Sequence, residues 1–385
     1  MITKNISFKS FLNFNKSINN KLKEDLISLL EEKNQLFLSL GNKYIDSFNK
    51  RKISKFKKHN IIQIFGMGGS SLGAKAIYNF LKKKINKKVI FFDNLSVKKI
   101  DKSKKKLNLI ISKSGNTIET IVNSNIYINK KDSNIFITEN KSNYLKIFAK
   151  ELKAEVIHHN NYIGGRYSVL SEVGMLPAEL MGLKSDHFRQ FNSLVKNKNF
   201  MNALLNNVNC TIYFLKKKKL NSVILNYDKS ADDLFYWYQQ LLAESLGKKN
   251  KGLLPIVSSV PKDNHSVMQY YLDGPKNNFF TFFYSRSNDD LKINNNILLK
   301  TGQFLKNKSL ADVVFAQKQA TENIFKKKGI PFRSLEIQKR DEKTLGELFC
   351  FFMLETILLA RSLKINPFNQ PAVELIKTET KKLLI

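Results

Sequence analysis

The sequence is poor in several residue types, and each shortage excludes a class of protein. Of its 385 residues two are cysteines, Cys210 and Cys350, and they form no CxxC pair, so neither a disulfide framework nor a zinc site is indicated. The five histidines show no metal-ligand spacing. The N-terminus lacks the apolar core of a signal peptide. The longest apolar run, 348–360, contains Glu355 and is too short to span a bilayer. We therefore expect a soluble, cytoplasmic protein with no metal and no membrane contact.

Acidic residues are also scarce, since 32 Asp and Glu stand against 65 Lys and Arg, and the formal net charge is +33. Such a charge could indicate a nucleic-acid-binding protein, because basic patches neutralise phosphates. The lysine runs at 82–88, 216–219 and 326–328 are scattered, however, and they are not interleaved with aromatic residues in a repeating pattern. A bias in base composition is the simpler explanation, and nucleic acid is the weaker alternative. The positive field would still attract a small anionic substrate.

The apolar runs that are present predict an α/β protein, because strands alternate with helical segments and such alternation gives parallel sheets covered on both faces. Strands of a first sheet are predicted from Ile61, Leu107, Asn134 and Ala154. Strands of a second sheet are predicted at 210–215, 223–227, 253–257 and 278–284.

The same pattern divides the chain into four parts. We expect an N-terminal helical segment (1–50), a first α/β subdomain (51–195), a second α/β subdomain (196–342), and C-terminal helices (343–385) that pack back on the site. A strong helix is predicted over 230–249, with Ser230 as its N-cap and Gly247 at its end.

A first glycine-rich loop, GMGGSSLGAK from Gly66 to Lys75, follows a predicted strand and opens a helix. Free N–H groups and the helix dipole favour an anion at such a position. The loop is not the dinucleotide fingerprint, because Ser71 stands where its third glycine belongs, and it is not a Walker A loop, because Ala74 and Lys75 follow Gly73. A close strand–helix turn without a ligand is an equal alternative.

A second loop, SKSGNTIET at 112–120, combines four hydroxyls, one lysine and Gly115, which permits an unusual backbone angle. Ordinary N-capping needs one hydroxyl rather than four. We therefore interpret the loop as a phosphate cup. Both loops follow strands of one predicted sheet, at the edge where α/β proteins bind ligands.

Two charged side chains are candidates for chemistry. Glu244 lies on the apolar face of its predicted helix and in the last turn, where burial and the helix dipole both disfavour a charged carboxylate, which suits a general base. The alternative is an ion pair with Lys248, four residues later. Arg166 follows two glycines in GGRYSVLSEVG at 164–174, and it is either a surface cation on a turn or a cation placed to meet an anion.

Six motifs, in chain order, resemble those of the phosphoglucose isomerase family: GMGGSSLG, SKSGNTIET, GGRYSVLSEVG, QQLLAESLGK, NHSVMQ and FNQPAVELIK. The resemblance runs from about residue 55 to about residue 380. It implies two sugar-isomerase αβα sandwich subdomains with parallel sheets and a helical C-terminal arm. It also implies a homodimeric enzyme, without metal or cofactor, that interconverts glucose 6-phosphate and fructose 6-phosphate.

The resemblance also implies roles for single residues. Glu244 matches the base that moves a proton between C2 and C1, and Arg166 matches the cation beside the enediol intermediate. His265 matches the ring-opening histidine that reaches in from the partner chain, and Lys377 matches the lysine on the ring-oxygen side. The implied substrate-binding residues are Gly69, Ser70, Ser112, Lys113, Ser114, Thr117 and Gln370.

The sequence departs from the family pattern at a few positions. Asn116 stands where threonine is frequent, and the bulkier Ile376 stands where glycine is usual, beside Lys377. Without the resemblance, His265 would be a satisfied core or capping histidine and Lys377 a solvated lysine. Two alternatives stay open: an isomerase that also accepts mannose 6-phosphate, and a non-catalytic sugar-phosphate-binding protein of the same fold.

Overall fold

The computed structural model describes residues 1–11, 17–32, 34–101, 105–286 and 291–385. Within them the strands are β1 (Ile6–Lys9), β2 (Ile61–Phe65), β3 (Lys88–Phe92), β4 (Leu107–Ile111), β5 (Ser133–Thr138), β6 (Glu155–His158), β7 (Asn221–Asn226), β8 (Leu254–Ser259), β9 (Asn278–Ser285) and β10 (Phe332–Ile337). The helices are α1 (Asn20–Glu31), α2 (Gln35–Leu40), α3 (Lys50–Ile53), α4 (Leu72–Phe80), α5 (Ile118–Tyr127), α6 (Tyr144–Glu151), α7 (Glu172–Leu180), α8 (Phe191–Leu194), α9 (Lys198–Lys216), α10 (Asp232–Leu246), α11 (Met268–Asp273), α12 (Leu310–Lys327), α13 (Glu342–Ser362) and α14 (Pro371–Leu383).

The first sheet has the strand order β3-β2-β4-β5-β6, and all its pairs are parallel. Its central strands are almost wholly apolar because both of their faces are buried. Ile62 and Ile64 pack with α4 on one face, whereas Phe65 packs with the Leu145 side of α6 on the other. The C-terminal ends of β2 and β4 therefore deliver the two loops of interest to the same edge of the sheet.

The second sheet has the order β1-β10-β9-β7-β8, in which β1 is antiparallel and the other strands are parallel. Every residue of β9 is buried, because α13 covers one face and α11 and α12 cover the other. The predicted α/β architecture with two parallel sheets is confirmed. The division into four parts at 50, 195 and 342 stays a prediction.

Three local predictions differ from the structure. Residues 210–215, predicted as a strand from their β-branched and aromatic side chains, form the end of α9, because the buried positions Phe200, Leu204, Val208 and Thr211 repeat with a helical period. Ser230 does not cap α10, which begins at Asp232, although Gly247 ends it as predicted. The N-terminal segment, predicted as helical, also contains β1, which pairs with β10.

Helix α10 joins the two halves of the molecule. Its buried residues, which include Phe235, Trp237 and Tyr238, pack against α13, while the same helix also lies against α4 of the first half and β8 of the second. Its last turn, with Glu244, consequently lies between the two sheets. In the described part of the chain no helix has both the length and the apolar character needed to cross a membrane.

Candidate active site

Arg166 is held by acceptors from two separate segments of the chain, the last turn of α10 and residues 367–370. It lies in the 3₁₀ turn Gly165–Leu170 and is 3% exposed. Its Nε donates to Ser245 Oγ at 2.8 Å, and its Nη2 donates to the main-chain carbonyls of Pro367 and Asn369. A buried guanidinium needs such partners, because an unpaired buried charge is costly. The fork is therefore fixed in one orientation, and the alternative of a surface cation on a turn is excluded.

The same guanidinium meets Glu244. Arg166 Nη1 donates to Glu244 Oε1 at 3.1 Å and to Gln370 Oε1 at 2.9 Å. The other carboxylate oxygen, Glu244 Oε2, accepts from Gln240 Nε2 at 2.9 Å. Both oxygens of Glu244 are thus positioned, while its side chain is still 24% exposed. The carboxylate is held in place and remains open to a ligand.

Lys248 does not make the alternative ion pair with Glu244. Its Nζ donates instead to the carbonyls of Asn366 and Asn369 and, at 3.1 Å, to Asn369 Oδ1. Burial, together with the positive charge of Arg166, lowers the pKa of Lys248 to about 8. Lys248 therefore acts on the segment that precedes α14.

Tyr167 and Ser245 both contact the Arg166 guanidinium and hydrogen-bond to each other. The Tyr167 ring lies 5.4 Å from Arg166 Cζ, and its hydroxyl shares a 2.8 Å hydrogen bond with Ser245 Oγ. Burial raises the pKa of Tyr167 to about 12, so the phenol stays neutral. The pair adds a cation–π contact without adding charge.

The first glycine loop packs directly on the arginine turn. A Cβ at Gly69 would lie 2.2 Å from the carbonyl carbon of Gly165, so only glycine allows the two backbones to approach this closely. The neighbouring Gly68 has a φ of +52° and faces the Gln240 side chain. Ser70 and the carbonyl of Ile111, the last residue of β4, both lie close to Gly66, so the first loop adjoins the end of β4. The first loop, Arg166 and the Glu244 helix are therefore in contact.

The second loop has the turn that its sequence predicts. Gly115 has a φ of +68°, and its N–H donates to Ser112 Oγ at 3.2 Å. Ser112 Oγ also shares a 2.8 Å hydrogen bond with Thr117 Oγ1. Lys113 Nζ donates to the Asn161 carbonyl at 2.7 Å, five residues before Arg166. The hydroxyl cluster is thus formed, and its lysine connects it to the arginine segment.

Lys113 also contacts Glu139, at 3.5 Å, and Ser114 Oγ accepts from the N–H of Asn116 at 3.3 Å.

A cleft of about 1020 Å³ opens beside Glu244, and its walls include Gln240, Lys248 and Gln370. A cleft of this size accommodates a small molecule such as a phosphorylated sugar.

Comparison with known proteins gives a consistent result. The family described as phosphoglucose isomerase matches residues 44–254. The glucose-6-phosphate isomerase of Mycoplasmopsis pulmonis is 31% identical over 97% of this chain and 98% of its own length. That of Methanocaldococcus jannaschii is 30% identical over 85% of this chain and 84% of its own. This chain belongs to the phosphoglucose isomerase family.

Solved structures agree on the fold of this family member. A hypothetical protein from Thermus thermophilus superposes with a TM-score of 0.82 at 23% identity, covering 94% of each chain. A glucose-6-phosphate isomerase from Chlamydia trachomatis superposes with a TM-score of 0.79 at 17% identity, covering 99% of this chain and 89% of its own. At these identities the likeness concerns the fold alone.

Two of the residues implied by the family resemblance lie away from the Arg166 cluster. His265 is exposed in the 3₁₀ turn Lys262–His265. Lys377 is exposed on α14, where it pairs with Glu374 at 2.6 Å, and no residue of α14 is buried. The segment before α14 packs on the site through Gln370, and Pro371, Ala372 and Val373 at the start of the helix line the cleft, whereas the rest of α14 does not line it. The expectation that 343–385 packs back on the site stays a prediction.

Sequence reasoning overlooked Gln240 and Ser245, with which this family member builds the cluster, and it considered Lys248 only as an ion-pair partner of Glu244. Gln240 lies four residues before Glu244, Ser245 directly after it, and Lys248 four residues after it. Helical spacing could have identified Gln240, since residues four apart share a face. The carbonyls of Pro367 and Asn369 carry no sequence signal, because any residue supplies a main-chain oxygen.

Proposed function

We propose that this protein interconverts glucose 6-phosphate and fructose 6-phosphate. The observation that carries the proposal is the contact between Arg166 and Glu244 in a cleft, with both loops at the adjoining edge of the first sheet. Isomerisation needs a base to move the proton between C2 and C1 and a cation to stabilise the oxygen that becomes negative. Family membership and full-length relatives named glucose-6-phosphate isomerase support the same activity.

In this mechanism Glu244 takes the proton from the carbon next to the carbonyl and returns it to the neighbouring carbon. Gln240 and Arg166 hold its two oxygens, so the carboxylate needs little reorientation before it accepts the proton. Arg166 stabilises the enediolate, since a guanidinium stays protonated and presents a rigid fork. Its contacts with Ser245 and the two carbonyls hold that charge in place before substrate arrives.

The phosphate is assigned to the two loops at the strand ends. Gly69 and Ser70 of the first loop and Ser112, Lys113, Ser114 and Thr117 of the second supply N–H groups, hydroxyls and one ammonium. Support comes from the Ser112–Thr117 hydrogen bond, from the tight turn at Gly115, and from the packing of Gly69 on the arginine turn. Hydroxyls and free N–H groups at a helix start favour a phosphate group.

The remaining two roles require a second element to approach the cleft. His265, proposed to open the sugar ring, is exposed within its own chain, which supports a homodimer in which the partner supplies it. Lys377, proposed for the ring-oxygen side, lies on the exposed α14, seven residues after the anchored Gln370. Because Pro371, Ala372 and Val373 at the start of α14 already line the cleft, movement of the helix about Gln370 would bring Lys377 toward it.

The test is a coupled assay of the purified protein with fructose 6-phosphate, repeated with Glu244→Gln. The amide keeps the shape and the acceptor for Arg166 but cannot take up a proton, so we expect kcat to fall by about a thousandfold. Glu151→Gln, at an exposed helix end, is the matched control and should retain full activity. An inactive wild-type protein, or full turnover by Glu244→Gln, would contradict the proposal.

A further inference from the structure

Lys248 makes tertiary contacts that ordinary solvation would not require. It follows the end of α10, one turn after Glu244. Its ammonium donates to three oxygens of one distant segment, the carbonyls of Asn366 and Asn369 and the side chain of Asn369. A compact charge with rotatable donors suits such a convergence of oxygens. The segment 366–370, called here the C-terminal loop, is thereby tied to the catalytic helix.

The C-terminal loop is tied from its other side by Arg166. The guanidinium donates to the carbonyls of Pro367 and Asn369, so the Asn369 carbonyl is shared between Arg166 and Lys248. Gln370, the last residue of the loop, accepts from Arg166 as well. Asn366, Phe368 and Asn369 are exposed, so solvent competes for this loop, whose apolar contacts are the buried Pro367 and the Phe368 ring, 5.5 Å from that of Tyr167.

We propose that Lys248 is a positioning residue that docks the C-terminal loop onto Arg166, and so fixes the guanidinium against Glu244. Without Lys248 the polar contacts of the loop would depend on Arg166 itself, with the Pro367 and Phe368 packing as the remaining support, and the arginine would lose carbonyl partners each time the loop opened. Because α14 begins directly after Gln370, the same contacts also fix the position of its first turn, and with it the helix that carries Lys377. The inference rests on the proposed isomerase function for its kinetic consequence, but not for its structural one.

The test compares Lys248→Met, Lys248→Arg and Lys23→Met in the full-length protein. Methionine keeps the length of the stem without donors, arginine keeps the donors, and Lys23, exposed on α1, controls for the loss of one positive charge. In Lys248→Met we expect amide hydrogen exchange to accelerate within 366–370 and kcat with fructose 6-phosphate to fall by about tenfold, with a smaller change in KM. Lys248→Arg should recover most of the activity and the protection, and Lys23→Met should match wild type.

Unchanged exchange of 366–370 in Lys248→Met would overturn the inference, whatever its activity. Equal losses in Lys23→Met would overturn it too, because they would indicate an effect of charge alone. An inactive wild-type protein would instead refute the proposed function, and the exchange measurement would still report on the loop. The two failures are therefore distinguishable.

Discussion

The residues around Arg166 and the pair formed by His265 and Lys377 differ in how the chain holds them. Arg166 is buried and has partners on α10, on the C-terminal loop and, through the packing of Gly69, on the first glycine loop. His265 and Lys377 are exposed, and Lys377 contacts a neighbour on its own helix. One half of the candidate site is therefore preorganised within a single chain.

The difference indicates a division of labour. Charge stabilisation requires donors that are fixed before the reaction, because reorganising them during the reaction would cost free energy. Ring opening and contact with the ring oxygen can be completed by elements that arrive with the substrate or with a second subunit. The fixed half and the exposed half should consequently respond differently to substitution.

The largest effect beyond Glu244 is expected at Arg166, in the fixed half. Arg166→Lys keeps a positive charge but cannot reach Ser245, Glu244, Gln370 and the loop carbonyls together, so we expect kcat to fall by about a hundredfold. Steady-state kinetics with fructose 6-phosphate measure the change. Arg51→Lys, at an exposed position, is the control. Activity within a few-fold of wild type in Arg166→Lys would show that the fork geometry is unimportant.

Much of the fixed half could be predicted from the sequence, because its motifs follow local rules. A strand, a loop and a helix start are recognisable at 61–80, where the loop is rich in glycine, and at 107–127, where it is rich in hydroxyls, and both occur as expected. The family resemblance implied roles for Arg166 and Glu244 at one site but left open whether their side chains meet, which they do at 3.1 Å. The order of strands in each sheet, and the pairing of β1 with β10, depend on contacts between distant segments, and single-sequence periodicity contains no record of them.

The wrong strand prediction at 210–215 came from reading too short a segment. The aromatic and β-branched side chains at 210–215 favour a strand locally, but burial of a 3.6-residue repeat over the whole of α9 determines a helix. The role of Lys248 was hidden for a different reason. Its partners are main-chain carbonyls more than a hundred residues away, and a carbonyl is present at every position.

The exposed half is best tested by mixing two inactive variants. The His265→Ala and Glu244→Gln proteins are mixed, unfolded and refolded together. If His265 acts on Glu244 of the other subunit, each heterodimer then has one intact site. Random pairing then restores about a quarter of the wild-type activity, since half of the dimers are mixed and each has one working site. If His265 served its own chain, no site in the mixture would hold both residues and no activity would return.

A smaller effect is expected from pH. Burial lowers the pKa of Lys248, the charge of Arg166 lowers it further, and the charge of Glu244 raises it. The resulting pKa is about 8. Raising the pH from 7 to 9 removes the proton, weakens the grip on the C-terminal loop, and should lower kcat by about fivefold. Lys248→Arg stays charged across this range, so its pH profile should be flat there. Identical profiles for the two proteins would contradict the assignment.

The central claim, proton transfer by Glu244 in the cleft beside Arg166, is tested most directly by following fructose 6-phosphate in D₂O by proton NMR. Wild-type protein should convert it to glucose 6-phosphate and introduce solvent deuterium at the carbons next to the carbonyl, C1 of the ketose and C2 of the aldose. Glu244→Gln, folded and with Arg166 intact, should do neither at a measurable rate. Deuterium incorporation by Glu244→Gln at the wild-type rate would contradict the account.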